Sequence, residues 1–196
     1  MKYVTADDAF TGLEAAIVLI AFVVVAAVFS YVVLSAGFFT TQKSQQVVQT
    51  SMQQASSSLE VVGNVYGFAN GTDNLGYLSF TVANTAGESA IDVPKMVVSY
   101  QDATTRWANL SFTEGNTTTG ESVKSSQKWG INRTYNDIGT PNHLLERGEQ
   151  FTLVVGMPPS ATPDTQITTN LQPAVGAVFQ IKRTIPPALS RINILF

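Results

Sequence analysis

The 196-residue chain contains no cysteine, which excludes a disulfide scaffold, a thiolate metal site and a cysteine nucleophile. Its one histidine, His143, leaves no histidine-rich metal cluster and no paired-histidine relay. Charged residues make up only 13%, against roughly 25% in typical soluble domains. With 11 Lys and Arg against 14 Asp and Glu, the net charge is −3, so nucleic acid finds no basic footprint. Also missing are a glycine-rich phosphate loop, a Ser/His/Asp set and closely paired carboxylates. Asp73, Asp92 and Asp102 lack the spacing of an EF-hand. The expectation is a protein that is not an enzyme and that carries no cofactor and no metal. Serine and threonine, in contrast, number 38, which suits an exposed β surface.

The largest absence is local. Between Glu14 and Lys43 there is no charged side chain, and Ala15–Phe39 is broken by polar groups only at Ser30, Tyr31 and Ser35. As a helix those 25 residues span roughly 37 Å, more than the ~30 Å hydrocarbon core of a bilayer. Val and Ile also favour strands. No Gly, Pro or Asn interrupts the run before Gly37, however, and no period-two alternation is present, so the run reads as a helix. Its apolar character wraps all the way round, unlike an amphipathic surface helix. Leaving its large apolar side chains in water would cost on the order of 20–45 kcal/mol, at ~1.5–3 kcal/mol each. A rod of that length needs lipid or other copies of itself.

After Gly37 the chain turns polar and rich in Gln and Ser. Val47, Val48, Ser51, Ala55 and Leu59 recur near helical spacing, so the helix is expected to continue to residue 59 with one apolar stripe and a bend at Gly37. From Glu60 onward the pattern is β. Expected strands are Val61–Phe68, Tyr77–Asn84, Lys95–Gln101, Trp107–Phe112, Lys128–Tyr135, Phe151–Val155, Ala174–Arg183 and Arg191–Phe196. Turn signals such as Asn70-Gly71 and Met157-Pro158-Pro159 separate them. The fold class is therefore α+β: a long N-terminal hydrophobic helix, then an antiparallel, immunoglobulin-like β-sandwich over residues 60–196. Trp107, Trp129, Tyr77 and Phe151 are expected to fill that sandwich, and His143 to sit exposed in a turn.

The residues Phe10-Thr11-Gly12-Leu13-Glu14, followed by Ala15-Ala16-Ile17-Val18-Leu19-Ile20-Ala21-Phe22-Val23-Val24-Val25-Ala26-Ala27, resemble the start of an archaeal flagellin, or archaellin. These are filament subunits related to type IV pilins and exported with a class III signal. The resemblance implies a leader over residues 1–9, cut between Ala9 and Phe10, and a helix over 10–59 that spans the membrane before assembly and forms the filament core afterwards. It places Glu14 at the position of the family's glutamate, five residues into the processed chain. Ala9 stands where the family usually has glycine, and Lys2 is the only basic side chain of the leader.

Glu14 has two readings. Thr11-Gly12-Leu13-Glu14 fits a capping box with Thr11 as N-cap. Alternatively, Glu14 neutralises the free amine of processed Phe10, its own or a neighbour's, inside an apolar core. Ile17, Leu19, Phe22, Val25, Phe29 and Val33 are expected to pack the filament core. The partners implied by the resemblance are further copies of the chain, sister archaellins, a prepilin-type leader peptidase, the archaellum assembly platform and its ATPase, with the membrane as host for the precursor. Asn70, Asn109, Asn116 and Asn132 each open an N-x-S/T sequon and are candidate N-glycosylation sites on the outer surface. Lys182, Arg183 and Arg191 are either solvated or paired between subunits. An adhesive pilin using the same export route, and a monomeric membrane-anchored binding module, are the competing readings.

Overall fold

The computed structural model describes residues 6–56, 59–84, 90–113, 119–137 and 142–196, and the chain divides into two units between Thr50 and Ser51. The described part of the first unit is all helix, and this helix, α1 (Ala6–Ser56), has 51 residues and continues past Thr50, about 76 Å at 1.5 Å per residue. It runs unbroken through Gly37. Thr40 and Thr41 donate their hydroxyls to the carbonyls of Ala36 and Gly37, both at 2.9 Å, so these polar side chains close onto their own helix at the end of the apolar run. Two expected features differ. In the unprocessed chain the described helix already includes Ala6–Phe10, so Thr11 lies inside it and not at an N-cap. Leu59 leaves the helical stripe altogether: it opens the first strand and is 5% exposed.

In the second unit the described strands are β1 (Leu59–Asn70), β2 (Asn74–Asn84), β3 (Ile91–Asp92), β4 (Val97–Gln101), β5 (Arg106–Trp107), β6 (Ser111–Phe112), β7 (Lys128–Tyr135), β8 (Leu144–Leu145), β9 (Gln150–Gly156), β10 (Gln166–Gln172), β11 (Phe179–Thr184) and β12 (Ile192–Leu195). A short helix, α2 (Gly120–Val123), precedes β7. One sheet runs β12-β1-β2-β9-β7-β6, a second runs β11-β10-β4-β5, and β3 pairs with β8. All pairings are antiparallel except β6 with β7. Alternation drives the layering: on β2, Leu78, Phe80 and Val82 are buried while Tyr77, Ser79 and Thr81 on the other face are half-buried. Both large sheets turn apolar side chains onto one core, including Trp129, Tyr100, Phe80, Phe151, Ile167 and Leu171. Trp129 buries its indole and donates Nε1–H to the Leu110 carbonyl at 3.2 Å. The result is a two-sheet sandwich following a long helix.

Several strands fall elsewhere than expected. Ala174–Arg183 is not one strand: the chain forms a hairpin of β10 and β11, with 173–178 as its connection. Trp107–Phe112 splits into β5 and β6, which belong to different sheets. Pro94 fixes its own φ and removes a donor, so Val93–Lys95 is a 3-10 turn and the strand starts only at Val97. Tyr77 lies on the outer face of the six-stranded sheet, stacked on Phe68 with centroids 4.5 Å apart. His143 is half-buried, edge-on to Phe112 at 6.2 Å.

Candidate assembly surface

The described part of α1 is bare. Ile17, Leu19, Phe22, Val25, Phe29 and Val33 are each 53–71% exposed. An 18-residue stretch of the helix reaches a mean hydropathy of 3.0 with none of it buried. At 100° per residue, Phe22, Val25, Phe29 and Val33 share one ridge at i, i+3, i+7 and i+11, with Leu19 beside it. Ile17 points off that ridge. The opposite face carries Ile20, Val24 and Val28, also exposed, so no side of this segment is suited to water.

Glu14 is exposed on the same helix. It stands four residues, about one turn, past Phe10, and α1 is already helical at Ala9 and Phe10. The carboxylate and the main-chain nitrogen of Phe10 are therefore neighbours along the axis. From residue 11 to residue 42 Glu14 is the only charged side chain.

The three candidate acidic residues of the sandwich do not converge. Asp73 accepts the Thr72 hydroxyl at 2.9 Å, Asp92 pairs with Lys95 at 2.6 Å, and Asp102 is saturated from its own neighbourhood. Its Oδ1 accepts the backbone amides of Thr104 and Thr105 at 2.6 and 2.5 Å. Its Oδ2 accepts the hydroxyls of Tyr100 at 2.8 Å and Ser160 at 2.5 Å. Partial burial pushes the carboxyl up, but the Ser160 hydroxyl, the two amides and the Tyr100 hydroxyl outweigh it and hold it at about 2. Burial, reinforced by this carboxylate, pushes the Tyr100 phenol above its usual range. This knot ties β4 to the loop after β9, and sequence reading missed it. Its signal was the Asp102-x-Thr104-Thr105 turn pattern.

Asn109 is exposed just before the buried Leu110, and Asn70 is exposed at the end of β1, its amide donating to Ser125 Oγ at 3.2 Å. Asn132 is half-buried at a bulge of β7 against β9. Asn116 lies outside the described residues. Among the described residues, the ion pairs are Lys95–Asp92 and Lys124–Glu121, and Arg183 donates to the Lys182 carbonyl at 2.9 Å.

Known proteins share both units of this chain. It is 37% identical to probable flagellin 1 of Archaeoglobus fulgidus, over 100% of this chain and 98% of that one. The structure of the archaeal flagellum of Methanospirillum hungatei strain JF1 superposes with a TM-score of 0.70 at 31% identity, covering 94% of this chain and 99% of that one. Archaeal flagellin FlaB1 of Methanocaldococcus jannaschii, at 18% identity and a TM-score of 0.57 over 71% of this chain and 97% of that one, shares the fold. Residues 9–183 match the archaeal-type flagellin family, and the chain belongs to it.

Proposed function

We infer that this chain is the structural subunit that polymerises into the helical filament of the archaellum and so serves swimming motility. The observation that carries this reading is α1: 15 large apolar side chains from Ile17 to Phe39, all more than half exposed, on a chain whose family builds filaments. Burying them against other copies removes the hydration cost, and head-to-tail contacts that do not close yield an open helix. The subunit is passive; its part is to pack.

The precursor rests with α1 in the bilayer and the sandwich outside, and a prepilin-type peptidase removes residues 1–9. Lipid and a helix bundle are similarly apolar, so transfer into the filament is driven by close packing. Ala15, Ala16, Ala21, Ala26 and Ala27 let helices approach, and Val23, Val24, Val25, Val28, Val32 and Val33 offer stiff rotamers to interlock. Removal of the leader frees the amine of Phe10 one turn from Glu14, and their pairing keeps the carboxylate from being buried alone. Thr11 then stands near a true helix start, where the capping box becomes available. The assembly platform and its ATPase supply extraction and torque. The sandwiches face outward, and Asn70 and Asn109 present exposed side chains for glycan.

Electron microscopy of sheared surface fibres, with mass spectrometry of their subunit, tests this reading. A filament of this chain beginning at Phe10 is expected. A chain confined to membranes with Met1 intact would show a monomeric anchor instead. Glu14→Ala is expected to abolish or shorten filaments while leaving the sandwich folded, and normal filaments from it would remove the pairing.

A further inference from the structure

The sequence carries one Asn-Gly step, Asn70-Gly71, and the fold places it at the tip of the β1–β2 hairpin. Asn70 pairs with Asn74 as the last rung of the ladder, beyond a register shift between Phe68 and Ala69, and residues 71–73 form the turn. A terminal rung of this kind opens far more readily than the body of a sheet. Asn70 and Gly71 are both exposed. Gly71 has a φ of +81°, and no atom lies within 4 Å of the place where a Cβ would stand, so neither a side chain of its own nor a packed neighbour crowds that side of the turn. Below the tip, α2 and the residues after it cover the outer face of β2 and β9: Gly120 lies against the Tyr77 ring, and Gly156 faces the carbonyls of Val123 and Ser126. Asn70 stands at the margin of this cover. Its Nδ2 donates to Ser125 Oγ at 3.2 Å, and its Cβ and the Lys124 stem flank the same side of Gly76. Other asparagines lack this combination: Asn84 and Asn193 are buried, and Asn109 and Asn132 precede Leu110 and Arg133, whose side chains stand beside the following nitrogen.

We propose that Asn70, at this open hairpin tip, is a site of spontaneous deamidation. Asparagine is among the thermolabile side chains, and its reaction needs only the nitrogen that follows it and water. The Gly71 main-chain nitrogen, deprotonated by hydroxide, attacks Cγ of Asn70. A bond forms between the two, the Cγ–Nδ2 bond breaks, and ammonia leaves with the proton returned through water. Water then opens the cyclic imide at either carbonyl and leaves an aspartate or an isoaspartate at position 70. Each event adds one negative charge to a chain whose net charge is −3. The new carboxylate arises beside the stem of Lys124, which pairs with Glu121 at 3.3 Å, and the Ser125 hydroxyl can donate to it, so an aspartate is accommodated in place. An isoaspartate instead lengthens the main chain of the turn by one carbon and breaks the contact with Ser125. The same asparagine opens the sequon Asn70-Gly71-Thr72, so two fates compete for Nδ2: a glycan removes the free amide, and deamidation destroys the glycan acceptor. None of this depends on the filament reading.

The full chain in mild detergent, incubated at pH 8 and then digested for mass spectrometry, provides the test. The peptide holding Asn70 is expected to gain one mass unit at least 10-fold faster than the peptides holding Asn109 and Asn132, and to become a substrate for protein isoaspartyl methyltransferase. Gly71→Ala is expected to slow that gain at least 10-fold, because its Cβ crowds the attacking nitrogen, with the sandwich still protease-resistant. Equal rates at the three asparagines would overturn the proposal, and so would a gain at Asn70 that Gly71→Ala leaves unchanged. Should Gly71→Ala fail to fold, the unaltered chain decides: its rate at Asn70 is expected to rise from pH 6 to pH 8, and a rate independent of pH would sink the imide route. If Asn70 arrives glycosylated, Thr72→Ala removes the sequon, keeps Asn70-Gly71, and is held to the same outcomes.

Discussion

In α1 the large apolar side chains from Ile17 to Phe39 all face outward, whereas in the sandwich Trp129, Tyr100, Phe80 and Phe151 are each less than 2% exposed. The same residue types are used in opposite ways. The sandwich buries its own apolar surface and is stabilised within one chain. Among the described residues of its unit, nothing covers the helix. A subunit divided in this way folds its outer part independently of the polymer and leaves one cohesive element for assembly.

The sharpest way to break that comparison is a charge on the rod. Phe29→Glu places a carboxylate amid apolar neighbours, where burial without a partner costs several kcal/mol. No filaments are expected by electron microscopy, with the sandwich unfolding at its usual temperature; filaments of normal length would show that the rod is not the core. The converse change is Trp129→Ala, expected to destabilise the sandwich by about 3–5 kcal/mol in denaturant unfolding while leaving the helicity of α1 in detergent unchanged. A loss shared by both units would erase the distinction.

A smaller effect concerns the knot at Asp102. Its folded pKa of about 2 lies below the model-compound value of 3.8, so its contribution is fully present above pH 3.8 and is lost as the pH falls through 2. Asp102→Asn is expected to cost about 1–2 kcal/mol at pH 7, after allowing for solvent screening, and much less at pH 2. An unfolding series across that range checks it, and a cost independent of pH would sink the electrostatic account. Smallest of all is Lys95→Ala, which removes a surface pair whose Lys95 side chain is 73% exposed. It is expected to change sandwich stability by less than about 0.5 kcal/mol, a baseline against which the other unfolding measurements are read.

Much of this was legible along the chain. The rod shows itself by length and lack of charge, and β2, β7 and β9 show themselves by alternation. β10 did not. Gln166-Ile167-Thr168-Thr169-Asn170-Leu171-Gln172 is polar at most positions, and it is a strand because β4 and β11 flank it and bury Ile167, Thr169 and Leu171. Helical spacing alone could not separate Leu59 from the stripe of Val47 and Val48, since a buried strand start and a helix face ask for the same residue. The capping box was read from a local pattern that the preceding helical turns override in the unprocessed chain. The six rod residues were singled out in advance and are exposed, whereas the exposed outer side chains of β1 and β12 were not singled out. For β12 the one sequence signal is that Ile192-Asn193-Ile194-Leu195 places apolar residues at both parities.

The amino-acid sequence by itself determined that this protein has an oily helix no single copy can cover, because solvation depends on composition and length and needs no partner to be computed. It also determined that an alternating β unit follows. Only the tertiary structure decided which strands share a sheet, which face of each looks outward, and where α2 stops covering the sheet. Those outcomes depend on pairing between residues far apart in the chain, whose registers no local pattern records.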